Sequence, residues 1–336
     1  MNTGKRILVT GGAGYIGSHM VQLLLQQGYS PIVLDNFSTS SRSNLEYIQN
    51  ESGTTIEIID KDITSDLSDL ALENIDAIIH FAAWKSVTES VEKPLEYYKN
   101  NVYGTINLLQ WAQKHSVKKF IFSSSSAVYG DVANSPVTEE VQASPLSPYG
   151  RSKLYMESVI TDFAQATHSN AVILRYFNVA GNAMDGTIGD QTKDPVAVIP
   201  AVICSYLGYK PITFQMYGDT FNTRDGSAVR DFIHVLDLVD AHLKALEYLD
   251  QKQGAFTFNL GTKSGTTIKE LIAALEKATG EPLNYEVVPA RPGEIVVSIA
   301  DSTKAQQELK WTPKYNISDI VESSLKWYRD TFPSRK

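Results

Sequence analysis

The sequence predicts an α/β fold: a doubly wound parallel sheet joined to a smaller mixed α/β lobe. Three observations carry that prediction. Short apolar runs alternate with helical patterns through the first half, the rhythm of βαβ units. Those runs are continuous rather than alternating, which suits strands buried on both faces. Between the first run and the first helical pattern lies a turn with glycines at 11, 14 and 17. Joining a strand to a helix, such a turn marks a Rossmann-type fold.

Residues 6–10 read as the first strand and 15–27 as a helix that Gly28 ends as a C-terminal cap. Strands follow at 30–36, 55–62 and 77–83, then a helical pattern at 100–115. Residues 119–126 read as a fifth strand, apolar until it meets Ser123-Ser124-Ser125-Ser126. Pro145 and Pro148 bracket a loop before a helix at 149–167, and 171–178 is a sixth strand. Beyond residue 180 the regular alternation stops. Residues 181–195 are polar and glycine-rich and read as a loop over a ligand. Helices are predicted at 200–207 and 266–279, and 230–235 and 256–260 read as extended. The expected organisation is a dinucleotide-binding domain at 1–180, with some later segments contributing, and a substrate-binding lobe at 181–336 interwoven with it.

The chain has 336 residues, 43% of them hydrophobic and 20% charged, the balance of an ordinary globular protein. A net charge of −8 argues against nucleic acid or an anionic membrane as partner. Cys204 is the only cysteine, so neither an internal disulfide nor a cysteine-based metal centre is possible, and no metal is expected. With no apolar stretch of ~18 residues and no signal-like N-terminus, the expected location is cytoplasmic.

In the glycine turn, Gly11 allows the tight bend, Gly14 lets a pyrophosphate approach the backbone, and Gly17 packs the helix on the strand. The helix N-terminus offers free N–H groups to the phosphates. Asp35, at the end of the second strand, is placed to accept hydrogen bonds from an adenosine ribose. Its charge would repel a 2′-phosphate, which favours NAD over NADP. Asp62 can reach the adenine amine, and Phe81-Ala82-Ala83 leave room for the cofactor. His80 reads as a packed core histidine.

The chemistry is expected at the fifth strand's carboxyl end, where open α/β sheets bind ligands. Hydroxyls of the serine run can donate to a developing alkoxide or ketone oxygen. Tyr149 and Lys153, four apart, share one helix face. An ammonium beside a phenol stabilises the phenolate, making Tyr149 a base below its usual pKa of ~10. A base beside a dinucleotide implies hydride chemistry on a carbon bearing a hydroxyl.

Several segments together give the chain a family resemblance. They are Val9-Thr10-Gly11-Gly12-Ala13-Gly14-Tyr15-Ile16-Gly17-Ser18-His19, Leu34-Asp35-Asn36, His80-Phe81-Ala82-Ala83, Lys93-Pro94-Leu95-Glu96-Tyr97-Tyr98, Ser147-Pro148-Tyr149-Gly150-Arg151-Ser152-Lys153, Arg175-Tyr176-Phe177-Asn178 and Val229-Arg230-Asp231-Phe232-Ile233-His234-Val235. With them the chain resembles the extended short-chain dehydrogenases/reductases, and among these the UDP-galactose (UDP-glucose) 4-epimerases. The resemblance implies that Tyr149 takes the proton of the sugar 4-hydroxyl while hydride passes from C4 to a tightly held NAD. The 4-keto sugar then turns, and hydride returns to its other face. It assigns Ser125, four residues before Tyr129, as the catalytic serine beside Tyr149 and Lys153. It places Tyr15, Ile16, Asn36, Ile63, Lys85, Asn100 and Phe177 against the cofactor. Lys85, Ser126, Tyr176, Asn178 and Val198 would meet the substrate, Arg230 and Arg291 its phosphates, and Glu294 the uridine ribose. Arginine suits bidentate phosphate contacts. Homodimers are common in the family; helices 100–115 and 149–167 are the candidate surface.

Two positions depart from the pattern of epimerases restricted to glucose and galactose. Ala197 stands where those enzymes usually carry a larger polar residue, and Ser298 where they carry Tyr. Both remove bulk from the sugar pocket, so UDP-N-acetylglucosamine and UDP-N-acetylgalactosamine are expected as substrates too. A mainly N-acetyl-directed epimerase, another nucleotide-sugar dehydratase or decarboxylase, and a silent NAD-binding regulator are the alternatives. A dehydratase needs an acidic pair after the serines, where this chain has Ser126-Ala127. A regulator usually lacks the Tyr or Lys.

Overall fold

The computed structural model describes residues 4–132, 135–192, 197–209, 213–291 and 294–332. The strands are β1 (Arg6–Thr10), β2 (Ser30–Asp35), β3 (Glu57–Asp60), β4 (Ile75–His80), β5 (Lys119–Ser123), β6 (Asn170–Tyr176), β7 (Asn178–Ala180), β8 (Phe214–Tyr217), β9 (Val229–Arg230), β10 (Phe232–His234), β11 (Ala255–Leu260), β12 (Thr266–Thr267), β13 (Tyr285–Val288) and β14 (Val297–Ser298). The helices are α1 (Tyr15–Gln26), α2 (Ser43–Ser52), α3 (Val87–Glu92), α4 (Pro94–Tyr97), α5 (Gly104–Lys114), α6 (Pro148–Thr167), α7 (Val198–Leu207), α8 (Val235–Tyr248), α9 (Ile268–Thr279), α10 (Thr303–Glu308) and α11 (Ile317–Thr331).

Seven strands form one parallel sheet in the order β11-β6-β5-β4-β1-β2-β3. From β1 the chain moves outward through β2 to β3, then returns to β4 on the other side. This reversal opens a crevice beyond the carboxyl ends of β1 and β4. The pairings Thr10↔Leu34, Thr10↔His80, Ser123↔Leu174 and Tyr176↔Leu260 bring those ends into line.

Residues on β1 alternate between the sheet's two faces. Ile7 and Val9 enter a core with Met20, Leu24, Leu238 and Leu246, from α1 and α8; Leu8 enters one with Leu108, Trp111, Met156 and Ile160, from α5 and α6. Each such side chain, fully buried, contributes roughly 1.5–3 kcal/mol. A third core joins α7, α9 and α11 through Val202, Leu271, Leu275, Val321 and Leu325. Residues 255–260 extend the first sheet beside β6, and α8 packs on α1, so the later half of the chain returns to the sheet.

Several boundaries differ from expectation. The predicted third strand stops at Asp60, because the Asp62 carboxylate accepts from the Thr64 amide at 2.7 Å and starts a turn. The predicted fifth strand ends at Ser123, because the Ser125 side chain caps a short 3₁₀ turn at Ser126–Val128. The predicted 100–115 helix begins earlier: α4 and a π-helical turn at Tyr98–Tyr103 lead into α5. Helices α2, α3, α8, α10 and α11 were not foreseen. The expected ligand-covering loop lies against α11 and α2 over its described part, 181–192. There Trp327 Nε1 donates to the Asp190 carbonyl at 2.9 Å and Asn44 Nδ2 to the Gly189 carbonyl at 2.9 Å. Residues 193–195 of that loop, and Pro292-Gly293 beside Arg291, lie outside the described residues.

Candidate active site

The glycine turn is set by close approaches. Gly11 has φ +71°, and a Cβ there would lie 2.7 Å from the Ala82 nitrogen. A Cβ on Gly17 would lie 2.1 Å from the Gly11 carbonyl oxygen. At Gly14 it would meet only that same oxygen, at 3.3 Å, so this glycine leaves space above the turn. Gly12, which the Gly-x-x-Gly spacing does not count, is held by the Val33 side chain 2.9 Å from its own would-be Cβ. Helix α1 has no side-chain N-cap and no acid in its first turn. Its amide end is therefore dressed for an anion, and the turn fits a dinucleotide pyrophosphate.

Other predicted cofactor residues carry structural duties as well. The Tyr15 hydroxyl donates to the Gly181 carbonyl and ties α1 to the segment after β7. What Tyr15 and Ile16 present at the helix start is thus backbone. Asp35 accepts from Ala13 N at 3.0 Å, Phe37 N at 2.9 Å and Ser40 Oγ at 3.0 Å. It locks the glycine turn to the end of β2, and a carboxylate with about four acceptor sites keeps one for a ribose. Asn36 Nδ2 donates to Asp62 at 2.8 Å, next to the buried Ile63. Phe81 N and Ala82 N donate to the Thr10 carbonyl, which places 81–83 beside Gly11. His80 is wholly buried between the Thr10 and Thr105 hydroxyls, at 2.6 and 3.0 Å. Burial, then the Lys153 charge, pushes its pKa down to about 3, so it stays neutral and acts as core. Lys85 is exposed. Asn100 lies on the π-helical turn and donates to Asn101 Oδ1 at 2.9 Å. The buried Asn101, which sequence reasoning missed, joins Trp84 to Ser152 Oγ.

Helix α6 starts at Pro148, after Ser147 caps it by accepting from Gly150 N at 3.0 Å. A Cβ on Gly150 would lie 2.5 Å from the Ala127 carbonyl oxygen, so glycine lets the helix start against the serine turn. Tyr149 then faces Ser125. Burial raises the Tyr149 pKa, and the nearby serine hydroxyl lowers it in part. Lys153 is 3% exposed and donates to the Ser123 carbonyl at 2.8 Å. Its ammonium lies 6.0 Å from the Tyr149 ring centroid and 4.9 Å from that of Phe122. Burial drives its pKa down to about 7, against a lift from Glu157. The ammonium lies over the Tyr149 ring rather than on its hydroxyl. Tyr176 lies near Ser123 and Tyr149, and burial raises its pKa. The Ser123 hydroxyl pairs with His242 Nε2 at 2.7 Å.

On the substrate side, Ser298 pairs with Arg230 in the β14–β9 register. Arg230 donates to Glu294 Oε1 at 2.5 Å and to the Val229 carbonyl at 3.0 Å, so two predicted nucleotide contacts hold each other. Burial lowers the Arg230 pKa and Glu294 counters it. The Arg291 guanidinium lies 3.6 Å from the ring centroid of Tyr217, an aromatic partner the sequence did not reveal. The Asn178 backbone N–H donates to the Asp231 carbonyl at 3.0 Å, and Phe177 is buried beside Val128 and Tyr129. Ser126 opens the 3₁₀ turn. Ala197 is the exposed N-cap of α7, and Val198 its first residue. Sequence reasoning also missed Asp231, a buried carboxylate that accepts from Thr262 N, Lys263 N and Ala300 N. The sole signal was its place between Arg230 and Phe232.

A family model described as GDP-mannose 4,6 dehydratase matches residues 8–324. A UDP-glucose 4-epimerase of Dictyostelium discoideum is 43% identical over 328 residues, 96% of this chain and 95% of its own. The crystal structure of UDP-glucose-4-epimerase from Stenotrophomonas maltophila, with bound NAD and formylated UDP-arabinopyranose, superposes with a TM-score of 0.93 at 39% identity, over 97% of this chain and 98% of that one. The UDP-Glc/GlcNAc 4-epimerase of Campylobacter jejuni superposes with a TM-score of 0.85 at 38% identity, over 97% of this chain and all of that one (100%). The fold agrees with these likenesses, and the chain belongs to the UDP-glucose 4-epimerase family.

Proposed function

We propose that this chain interconverts UDP-glucose and UDP-galactose by inverting C4, and that it also accepts the N-acetylated pair. The observation that carries the reading is the meeting of Tyr149, Ser125 and Lys153 beyond the end of β5, on the same sheet edge as the glycine turn. NAD, when bound, supplies the acceptor and later the donor of the C4 hydride. The turn from Gly11 to Gly17 holds its pyrophosphate on the N-terminus of α1, and Asp35 holds its adenosine ribose. Tyr149 removes the proton from the 4-hydroxyl and returns it after the 4-keto sugar has turned. The Ser125 hydroxyl donates to the oxygen at C4. Lys153 keeps positive charge near the phenolate and reaches the nicotinamide ribose. Arg230 and Arg291 meet the diphosphate, and Glu294, once Arg230 shares itself with phosphate, accepts from the uridine ribose.

The wider substrate range rests on Ser298, whose short side chain sits in register with Arg230 where restricted relatives carry Tyr. Its likeness to the Campylobacter jejuni enzyme supports this. Steady-state kinetics with the four UDP-sugars test both parts. Silence toward the N-acetyl pair removes the wider range; silence toward all four removes the reaction.

We also infer a homodimer. Tyr98, Val102, Tyr103, Ile106 and Tyr155 line a shallow cleft of about 560 Å³ between the 98–106 segment and α6, and Leu95 beside it is 79% exposed. A second copy presenting the same face would cover it. Light scattering should give a dimer for the parent and a monomer for Tyr155→Glu; a monomeric parent ends this inference. Among the described residues no helix is long and apolar enough to cross a membrane. The cytoplasm is the location we propose, supported by the single Cys204.

A further inference from the structure

One buried ion pair beside the site has no part in the chemistry above. Glu157 lies one helical turn beyond Lys153 on α6, and its side chain is 5% exposed. Arg175 on β6 grips it with a fork: Nε lies 3.0 and 3.2 Å from the two carboxylate oxygens, and Nη2 lies 2.5 Å from Oε2. Two further bonds leave this pair. The Ser124 hydroxyl donates to Glu157 Oε1. Arg175 Nη1 donates to the Tyr129 hydroxyl at 3.0 Å, and its guanidinium carbon lies 4.9 Å from the ring centroid. The Tyr129 hydroxyl in turn donates to Asn259 Oδ1 at 2.7 Å, and Asn259 Nδ2 donates to the Val137 carbonyl at 2.9 Å.

Ser124 and Tyr129 bracket one short piece of chain. Ser124 immediately precedes Ser125, and its amide donates to the Leu174 carbonyl at 2.8 Å. Tyr129 closes the turn that follows, its amide donating to the Ser126 carbonyl at 3.0 Å. The ion pair therefore holds both ends of the turn that presents Ser125 to Tyr149. A buried ion pair is a poor device for stability, since desolvation offsets most of its attraction and apolar residues of like volume often do as well. It does impose direction, because a planar guanidinium and a carboxylate meet in one geometry.

We propose that the Glu157–Arg175 pair is a positioning clamp for Ser125, holding its hydroxyl where the Tyr149 phenol and the substrate oxygen at C4 both meet it. The inference rests on the role given to Ser125 above. The Ser125 hydroxyl caps its own turn, accepting from Ala127 N at 3.2 Å, so it moves with the turn, and a misplacement of ~1 Å at a reacting group can cost about 100-fold in rate.

Removing Glu157 outright would leave a buried guanidinium unpaired and endanger folding. The test instead removes the two grips. Ser124→Ala and Tyr129→Phe are made in the full-length chain loaded with NAD, alone and combined with Ser125→Ala, with melting temperature and NAD content measured for each. Each grip variant should lower kcat on UDP-galactose about tenfold and leave KM within about twofold. In the Ser125→Ala background each should add no further loss, because the hydroxyl it positions is gone. Equal losses with and without Ser125, or no loss in either, would overturn the clamp and leave the role of Ser125 standing. A fully active Ser125→Ala single variant would overturn that role, and the clamp with it.

Discussion

Replacing Lys153 by Met takes a charge from beside Tyr149 while keeping most of the side chain's bulk, and the structure sets the size of the effect. The ammonium lies 6.0 Å from the phenol ring centroid, with both side chains buried. At an effective dielectric of ~20, that separation corresponds to about 3 kcal/mol, or roughly two pKa units on Tyr149. The sign follows from charge: an ammonium favours phenolate, so its loss raises the phenol pKa. Tyr149 works as a base in its deprotonated form, so the rate climbs with pH through that pKa. The variant's limb should move up by roughly two units, with kcat roughly 100-fold lower near neutrality and recovering as pH rises. In the parent, burial lowers the Lys153 pKa to about 7 and raises that of Tyr149, so the ammonium's hold on the phenol is strongest at and below neutrality. The assay is kcat against pH for UDP-galactose epimerisation, with NAD content measured on both proteins. A loss uniform across pH, with the limb unmoved, would refute the electrostatic reasoning and leave Lys153 only the task of holding the cofactor.

Three further outcomes are expected. Tyr149→Phe should lower epimerisation by about 10³-fold or more while NAD stays bound, read by kinetics and by absorbance of the purified protein. Gly17→Ala should destroy dinucleotide binding, since its Cβ would lie 2.1 Å from the Gly11 carbonyl oxygen; titration with NAD reads this, and retained affinity would contradict the turn geometry. Ser298→Tyr should remove turnover of the N-acetylated sugars and keep at least about a third of that for UDP-galactose, because a single aromatic ring fills the space an acetamido group would need.

What the sequence disclosed and what it hid divide along a physical line. The main sheet was legible because its strands are buried on both faces and spell out apolar runs such as Ile7-Leu8-Val9. The glycine turn and the Tyr149–Lys153 pair were legible because the geometry they need constrains neighbours along the chain. The Glu157–Arg175 pair left no such trace: Arg175 stands in one of the segments that carry the resemblance, but Glu157 lies 18 residues away on a helix, and nothing along the chain joins the two. Tyr217 under Arg291, and Asn259 behind Tyr129, are hidden for the same reason, since only tertiary pairing gives them meaning. Helix α8 was masked differently. The run from Arg230 to Val235 looks extended, and it is extended as far as His234, whose ring nitrogen then accepts from Leu236 N at 3.1 Å and starts a helix. Histidine is not among the usual capping residues, so the start carried no familiar mark. Asp35 is the instructive intermediate case. Its spacing from the glycines points to a ribose, yet in the fold it first fastens the turn through Ala13 N and the following loop through Phe37 N. Loss of its carboxylate would therefore loosen the very turn that holds the phosphates, and a weakened affinity for NAD in an Asp35 variant cannot be assigned to the ribose contact alone. The discriminating comparison is between NAD and a ligand that carries the pyrophosphate but lacks the adenosine 2′-hydroxyl: a ribose contact penalises only the first, a loosened turn penalises both.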